Sequence, residues 1–225
     1  MKQKHFSVAI DGPSGAGKST MAKALAKELG FMYVDTGAIY RTVGYHMSLM
    51  GIGPRDVDGI TRLLDDVNIE IRYEDGVQHM ILNGADVTGE IRTPEISMYA
   101  STVSALPVVR AFLMETQRRL ARENDVIMDG RDIGTVVLPN ADVKIFLTAS
   151  PEERARRRFL ELQEKGDPSS FEKVLSEMKK RDEQDSTRAC APLKCAEDAV
   201  RLDTSGYTVE QSVAAIRDII GGKRK

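Results

Sequence analysis

Nine consecutive residues, Gly12, Pro13, Ser14, Gly15, Ala16, Gly17, Lys18, Ser19 and Thr20, restrict what this chain can fold into more than any other stretch. The first eight fit G-x-x-x-x-G-K-[ST], a loop whose glycines let successive backbone N–H groups turn inward around phosphate oxygens. Such a loop needs a strand before it and a helix after it. Residues 5–10 (HFSVAI) are a short β-prone run, and Ala22, Leu25, Ala26 and Leu29 recur at the spacing of one helical face. Gly30 fits the left-handed residue that commonly closes a helix. With both flanks in place, the loop is expected to seat a nucleoside triphosphate on the positive end of that helix. Lys18 then reaches the β- and γ-phosphates, and Ser19 is available to Mg²⁺. A plain glycine turn would need neither flank.

The rest of the chain continues the alternation. Residues 31–34 read as a second buried strand and 38–50 as a second helix, which predicts an α/β fold: a parallel core sheet between helical layers, the three-layer P-loop architecture. The middle changes period. Residues 67–73 (VNIEIRY) alternate, Glu74, Asp75 and Gly76 supply a turn, residues 77–82 return, and a short strand follows Asn83 and Gly84 at 85–87. That is an antiparallel hairpin inserted in the α/β frame. Pro107 opens a helix to about residue 123, with Val109, Phe112, Leu113 and Leu120 on one face. Residues 126–128 and 143–147 are further apolar strands, and 151–188 read as two charged helices around Gly166, Asp167 and Pro168. After a last strand at 199–202, Thr208 and Gln211 form a capping box for a helix whose inner face is Val209, Val213, Ile216 and Ile220. Residues 221–225 read as a frayed basic tail. No linker or repeat appears, so the chain reads as one domain with two inserted mobile parts.

Charge narrows the partners. Lys and Arg number 32 against 34 Asp and Glu, so the net charge of -2 gives no reason to expect nucleic acid, while leaving room for a local basic cleft. At 41% hydrophobic and 29% charged, the 225 residues hold enough core to exclude disorder. No apolar run approaches the ~18 residues of a membrane span, and the stretch before Asp11 is too short for a signal-peptide core. Cys190 and Cys195 lack a second Cys/His pair, and His5, His46 and His79 are scattered, so all five read as structural or surface residues of a protein in a reducing cytoplasm.

Triphosphate binding alone does not separate a GTPase, a motor and a small-molecule kinase. A guanine-reading N-K-x-D is absent and so is a large second domain, which leaves phosphoryl transfer to a small acceptor. Two stretches then stand where α/β sheets place ligands, at the carboxyl ends of strands. Residues 35–41 (DTGAIYR) put the Thr36 hydroxyl, the Tyr40 ring and the Arg41 guanidinium at the mouth of one helix. In residues 129–132 (DGRD), Asp129 is placed to hold Mg²⁺ directly or through water, with Arg131 and Asp132 beyond it. Further on, Phe171, Val174, Met178, Arg181, Asp185 and Arg188 fall three and four apart, an apolar stripe that turns into charges aimed at a cleft. Arg154, Arg157 and Arg158 share one face of the preceding helix, answered in part by Glu161, and are expected to close over the phosphates as a lid.

In combination, GPSGAGKST (12–20), DTGAIYR (35–41), GEIRT (89–93), DGRDIGTVV (129–137) and KRDEQDSTR (180–188) resemble the bacterial-type cytidylate kinases over essentially the whole chain. The resemblance implies ATP-dependent, in-line phosphorylation of CMP and dCMP. It implies that Thr36, Tyr40, Arg41 and Arg131 hold the nucleoside monophosphate, mainly at its phosphate. Ser101, Arg110 and Asp132 would address the cytosine, and Arg181, Asp185 and Arg188 the sugar and phosphates. Lys18, Arg41, Arg131, Arg181 and Arg188 would carry the transfer, with Arg157 and Arg158 joining residues 12–20 at ATP and Ser19 and Asp129 at Mg²⁺. These residue types suit the base: the cytosine amino group donates to a carboxylate such as Asp132, and uracil reverses that edge. The resemblance further implies one domain over 1–225, its core at about 1–37, 103–150 and 195–220, an acceptor-binding part at 38–102 and a lid at 151–190. A monomer is implied, acting on ATP and CMP or dCMP, with no nucleic-acid or membrane partner. The rivals are a UMP/CMP or other small-acceptor kinase, and a nucleotide-switched binding protein.

Overall fold

A computed structural model describes residues 5–164 and 166–224. Five parallel strands form the central sheet, β1 (Ser7–Asp11), β2 (Met32–Asp35), β6 (Val126–Gly130), β7 (Val143–Thr148) and β8 (Val200–Asp203), in the order β2-β6-β1-β7-β8. The alternation of side chains sorts the core into two layers. Val8, Ile10 and Ile127 pack on one face with Leu25 of α1 (Lys18–Leu29) and Ile216 and Ile220 of α8 (Val209–Lys223). Ala9 and Met128 point to the other face, against Ile39 and Val43 of α2 (Thr36–Leu49) and Leu113 of α5 (Pro107–Glu123). Each large side chain buried this way contributes about 1.5–3 kcal/mol. The parallel register also sets Asp35 and Asp129 side by side at one end, with Asp11 one residue further on, opposite Gly130.

The insertion is a second, antiparallel sheet, β3 (Ile69–Glu74), β4 (Val77–Leu82) and β5 (Ala85–Asp86). Its first turn is Asp75-Gly76, both at positive φ (50° and 75°), which matches the twist of a two-residue hairpin. The insertion also carries α3 (Val57–Asp65) and α4 (Pro94–Val103), neither of which was expected. Both nevertheless begin at recognisable caps: the Asp56 side chain accepts from Gly59 N–H, and that of Thr93 from Ile96 N–H with Pro94 in the first turn. Beyond the sheet, α6 (Pro151–Glu164) and α7 (Phe171–Thr187) pack on each other around Ala155, Val174 and Met178.

Several boundaries and faces differ from expectation. The second strand runs one residue later, to Asp35, and α2 begins at Thr36, so Thr36 and Gly37 lie in its first turn. The residues 221–223 expected in a tail continue α8, whose last turns Ile220 anchors; Lys225 lies outside the described residues. Phe112 and Val209 are exposed rather than part of the inner faces, and Arg110 takes the buried place on α5. Among the described residues, no single helix is long and apolar enough to cross a membrane.

Candidate active site

The loop between β1 and α1 is shaped for an anion. Gly12, Gly15 and Gly17 all have positive φ, and a Cβ on Gly12 would overlap the Leu147 carbonyl. Gly17 offers no capping side chain, so the first N–H groups of α1 are left for a ligand. Lys18 is buried, and its Nζ donates to the Pro13 carbonyl at 2.8 Å. Burial, with the charge of Arg131, brings the Lys18 ammonium down to about 7, while Asp129 and Asp11 pull it up. The Ser19 hydroxyl donates to Asp129 at 2.7 Å, and the Tyr33 hydroxyl donates to the same carboxylate at 3.0 Å. Burial and the neighbouring Asp35 push the Asp129 carboxyl up, against Lys18.

Across the cleft, Asp35 caps α2 by accepting from Ala38 N–H at 2.8 Å, and its other oxygen pairs with Arg41 at 3.0 Å and Arg92 at 2.9 Å. Burial would raise its carboxyl, but the two guanidinia hold it below the usual carboxylate range. Thr36 donates its hydroxyl to the Asp129 carbonyl at 2.7 Å, tying α2 to the end of β6. Gly44 lets α2 and α4 approach closely, since a Cβ there would stand 2.9 Å from that of Tyr99, and α4 thereby presents Ser101 to the cleft.

The far wall is a buried charge cluster. Asp132 accepts from Arg110 and, at 3.3 Å, from Arg188, while both arginines also reach Ser104. The Arg110 guanidinium lies 5.8 Å over the Tyr40 ring. From α7, Asp185 receives Arg131 Nε at 2.7 Å, and among the described residues the Nε of Arg181 and of Arg41 are buried without a hydrogen-bond partner. Burial, with Arg131 alongside, lowers Arg181 to about 10.

One cleft of about 800 Å³ gathers these groups. Of the residues expected at the site, all but Gly12, Pro13, Ala16 and Arg154 line it; the three loop residues among these are buried. The lining carries nine Lys and Arg against five Asp and Glu, a cationic enclosure in a chain of net charge -2. The lid face differs from expectation. Arg157 lines the cleft but bonds to Glu153 at 2.9 Å and the Thr204 carbonyl at 3.1 Å, and Arg158 bonds to Glu161 at 3.1 Å. Arg154 does not share their face: it is buried, donates to the Ser14 carbonyl at 2.8 Å and pairs with Asp182 at 2.7 Å, a strut between the phosphate loop and α7.

A sequence model described as cytidylate kinase matches residues 8–221. A cytidylate kinase of Caldicellulosiruptor bescii is 50% identical over 216 residues, 96% of each chain. That of Carboxydothermus hydrogenoformans is 53% identical over 216 residues, covering 96% of this chain and 97% of the other. The chain belongs to the cytidylate kinase family. Among solved structures, an uncharacterized protein from Eubacterium ventriosum aligns over 96% of this chain and 99% of its own, at TM-score 0.51 and 13% identity, a likeness of fold alone.

For a cytidylate kinase family member, several side chains in or behind the cleft were not singled out from sequence. Asp11 accepts Ile133 and Gly134 N–H at 2.8 and 2.7 Å and so holds the Asp132 loop against the phosphate loop. Burial raises its carboxyl to about 6. Asp35 was legible as an N-cap just before a helix. Arg92 lies in the GEIRT stretch that carries the resemblance but was given no role there, since that role comes from a contact across 57 residues. The fit to Mg²⁺ is sound: Ser19 and Asp129 converge as two hard oxygen donors beside the phosphate loop, and Mg²⁺ draws its other ligands from phosphate and water.

Proposed function

We propose that this protein phosphorylates CMP and dCMP with ATP, giving ADP and the corresponding diphosphate. The observation that carries the reading is that the phosphate loop and the Asp35–Arg41–Arg92 group face one cationic cleft whose far wall is Arg110, Asp132 and Arg188. ATP would lie on residues 12–20, with Lys18 leaving the Pro13 carbonyl for the β- and γ-phosphates and Arg157 and Arg158 above them. CMP would place its phosphate among Thr36, Tyr40, Arg41 and Arg131, its sugar toward Arg181, Asp185 and Arg188, and its base against Ser101, Arg110 and Asp132.

The acceptor is already an anion, so no strong general base is needed. The requirement is to bring two polyanions into line and neutralise the group in transit, a matter of positioning and electrostatics. Lys18 and the arginines supply fixed positive charge. Ser19 and Asp129 would hold Mg²⁺, which when bound adds neutralisation at the phosphates. Helices α6 and α7 would act as a lid that excludes water, the competing acceptor. A monomer completes the reading, and the two free thiols, Cys190 and Cys195, suit a reducing cytoplasm.

The test is ADP release with Mg·ATP across the four ribonucleoside monophosphates, CMP and dCMP leading. Turnover with UMP at the same efficiency would move the reading to a UMP/CMP kinase, and ATP binding without a phosphorylated acceptor would remove transfer altogether.

A further inference from the structure

Strand β2 is an edge of the parallel sheet, so among the described residues one side of its backbone has no strand to pair with. The inserted hairpin fills that side with side chains. Gln78 on β4, buried, accepts from Asp35 N–H through Oε1 at 2.8 Å and donates from Nε2 to the Asp35 carbonyl at 3.2 Å. One amide thus serves both backbone groups of a single residue, as a neighbouring strand would. Two residues earlier along the same edge, the Tyr73 hydroxyl of β3 donates to the Tyr33 carbonyl at 3.0 Å.

The residue gripped in this way is the hub of the acceptor side. Asp35 caps α2 and carries both Arg41 and Arg92 on its carboxylate. Arg92 itself comes from the short turn Glu90–Arg92 that follows β5. The insertion therefore reaches Asp35 twice, at its backbone through Gln78 and at its carboxylate through Arg92. We propose that Gln78 is a positioning residue for the acceptor phosphate, fixing Asp35 so that Arg41 and Arg92 stand where that phosphate arrives, and that this is what the hairpin insertion does for the reaction. The inference rests on the acceptor site read above.

The geometry explains the choice of side chain. Glutamine carries one donor and one acceptor at the same reach, which matches an N–H and C=O on one residue. Methionine has the length and neither group. Sites of this kind work within about 0.5 Å, so releasing the strand end misplaces two guanidinia at once.

The experiment measures equilibrium binding of CMP and of cytidine, together with KM for CMP and for ATP, on full-length Gln78→Met and Tyr73→Phe. For Gln78→Met, CMP is expected to bind about tenfold more weakly, with cytidine and the KM for ATP within about twofold of the parent. Tyr73→Phe removes one hydrogen bond farther from the hub and should shift CMP in the same direction by about two- to threefold; it carries the test alone should Gln78→Met fail to fold. A purely structural role would lower the melting temperature and the active fraction while leaving the ratio of CMP to cytidine affinity unchanged, and that outcome overturns the proposal. Equal weakening of CMP and cytidine overturns it too. Failure of the underlying activity would show instead in the parent protein, as absence of transfer to CMP.

Discussion

Asp132→Asn separates two things that one carboxylate does. Asp132 is 4% exposed and contacts Arg110 and Arg188, whose side chains are 4% and 7% exposed. Burial pushes its carboxyl up from the ordinary value while the two guanidinia pull it down, so desolvation offsets much of the attraction in the intact cluster. Removing the charge is different, because it leaves two buried guanidinia without a counter-ion. Comparable losses cost about 3–5 kcal/mol. For a chain of this length each kcal/mol moves the midpoint by about 2–4 °C, so the nucleotide-free variant should melt roughly 6–20 °C lower. Asparagine can turn either its oxygen or its amino group to the base, so the distinction between cytosine and uracil should weaken as well. A charge-assisted hydrogen bond contributes about 1.5–3 kcal/mol, which converts to a fall of roughly 10- to 150-fold in the CMP/UMP ratio of kcat/KM. Both acceptors are assayed by ADP release, well below the variant's melting point. A folded variant with the parent's CMP/UMP ratio would refute the reasoning and leave Asp132 as a counter-ion only.

Lys18→Met should fold and lose at least about 10²–10³ in kcat. Burial holds the folded Lys18 at about 7 against 10.5 for the free side chain, so the parent loses stability relative to the variant as pH falls from 10.5 to 7, and no more below 7. Paired thermal melts at pH 6, 7 and 9.5 check this; a gap independent of pH contradicts it. Asp11→Ala leaves the Ile133 and Gly134 N–H groups buried and unpaired, at a cost of about 2–5 kcal/mol, and a melting temperature within a degree of the parent would show that residues 132–134 are held by something else. For the lid, amide exchange across α6 and α7 should slow when CMP and a non-hydrolysable ATP analogue are both bound, whereas equal exchange in the free and doubly bound protein speaks against closure.

What could be read in advance was local. The phosphate loop, the hairpin turn at Asp75-Gly76 and the α8 capping box each depend on residues a few positions apart, and each stands where the spacing placed it. The stripe from Val174 through Met178 to Asp185 likewise runs from core to cleft. Helix α4 was missed because it buries only Ile96, Ala100 and Val103, too few for a clear period, whereas α3 was legible in the i, i+3, i+4 spacing of Ile60, Leu63 and Leu64 behind the Asp56 cap and was overlooked for its nine-residue length. Arg154 was misplaced because a helical wheel cannot tell a guanidinium aimed at a ligand from one that fills a carbonyl-lined notch; the Ser14 carbonyl lies 140 residues away. Asp11 and Gln78 escaped for the same reason, since their partners are 122 and 43 residues distant. A strand-ending aspartate beside a glycine loop has several uses, and only the folded register selects one.

Those long-range pairs follow a common physical logic. A cleft built for two polyanions must gather cations that repel one another when it is empty. Burial and the mutual repulsion of Arg131 with Lys18 and Arg181 already lower the last two. Nearly every cation of the cleft is accordingly engaged by an internal acceptor: Arg41 and Arg92 by Asp35, Arg131 by Asp185, Arg110 and Arg188 by Asp132, and Lys18 by the Pro13 carbonyl. The carboxylates hold each guanidinium near its working position, which removes the cost of ordering long side chains at the moment of binding. Nucleotide phosphates then enter by exchange of partners rather than by meeting bare charge. The exchange can be complete only where a phosphate competes geometrically with a fixed carboxylate, so the elements that fix Asp35, Asp132 and Asp185 govern which anion is accepted as much as the arginines do.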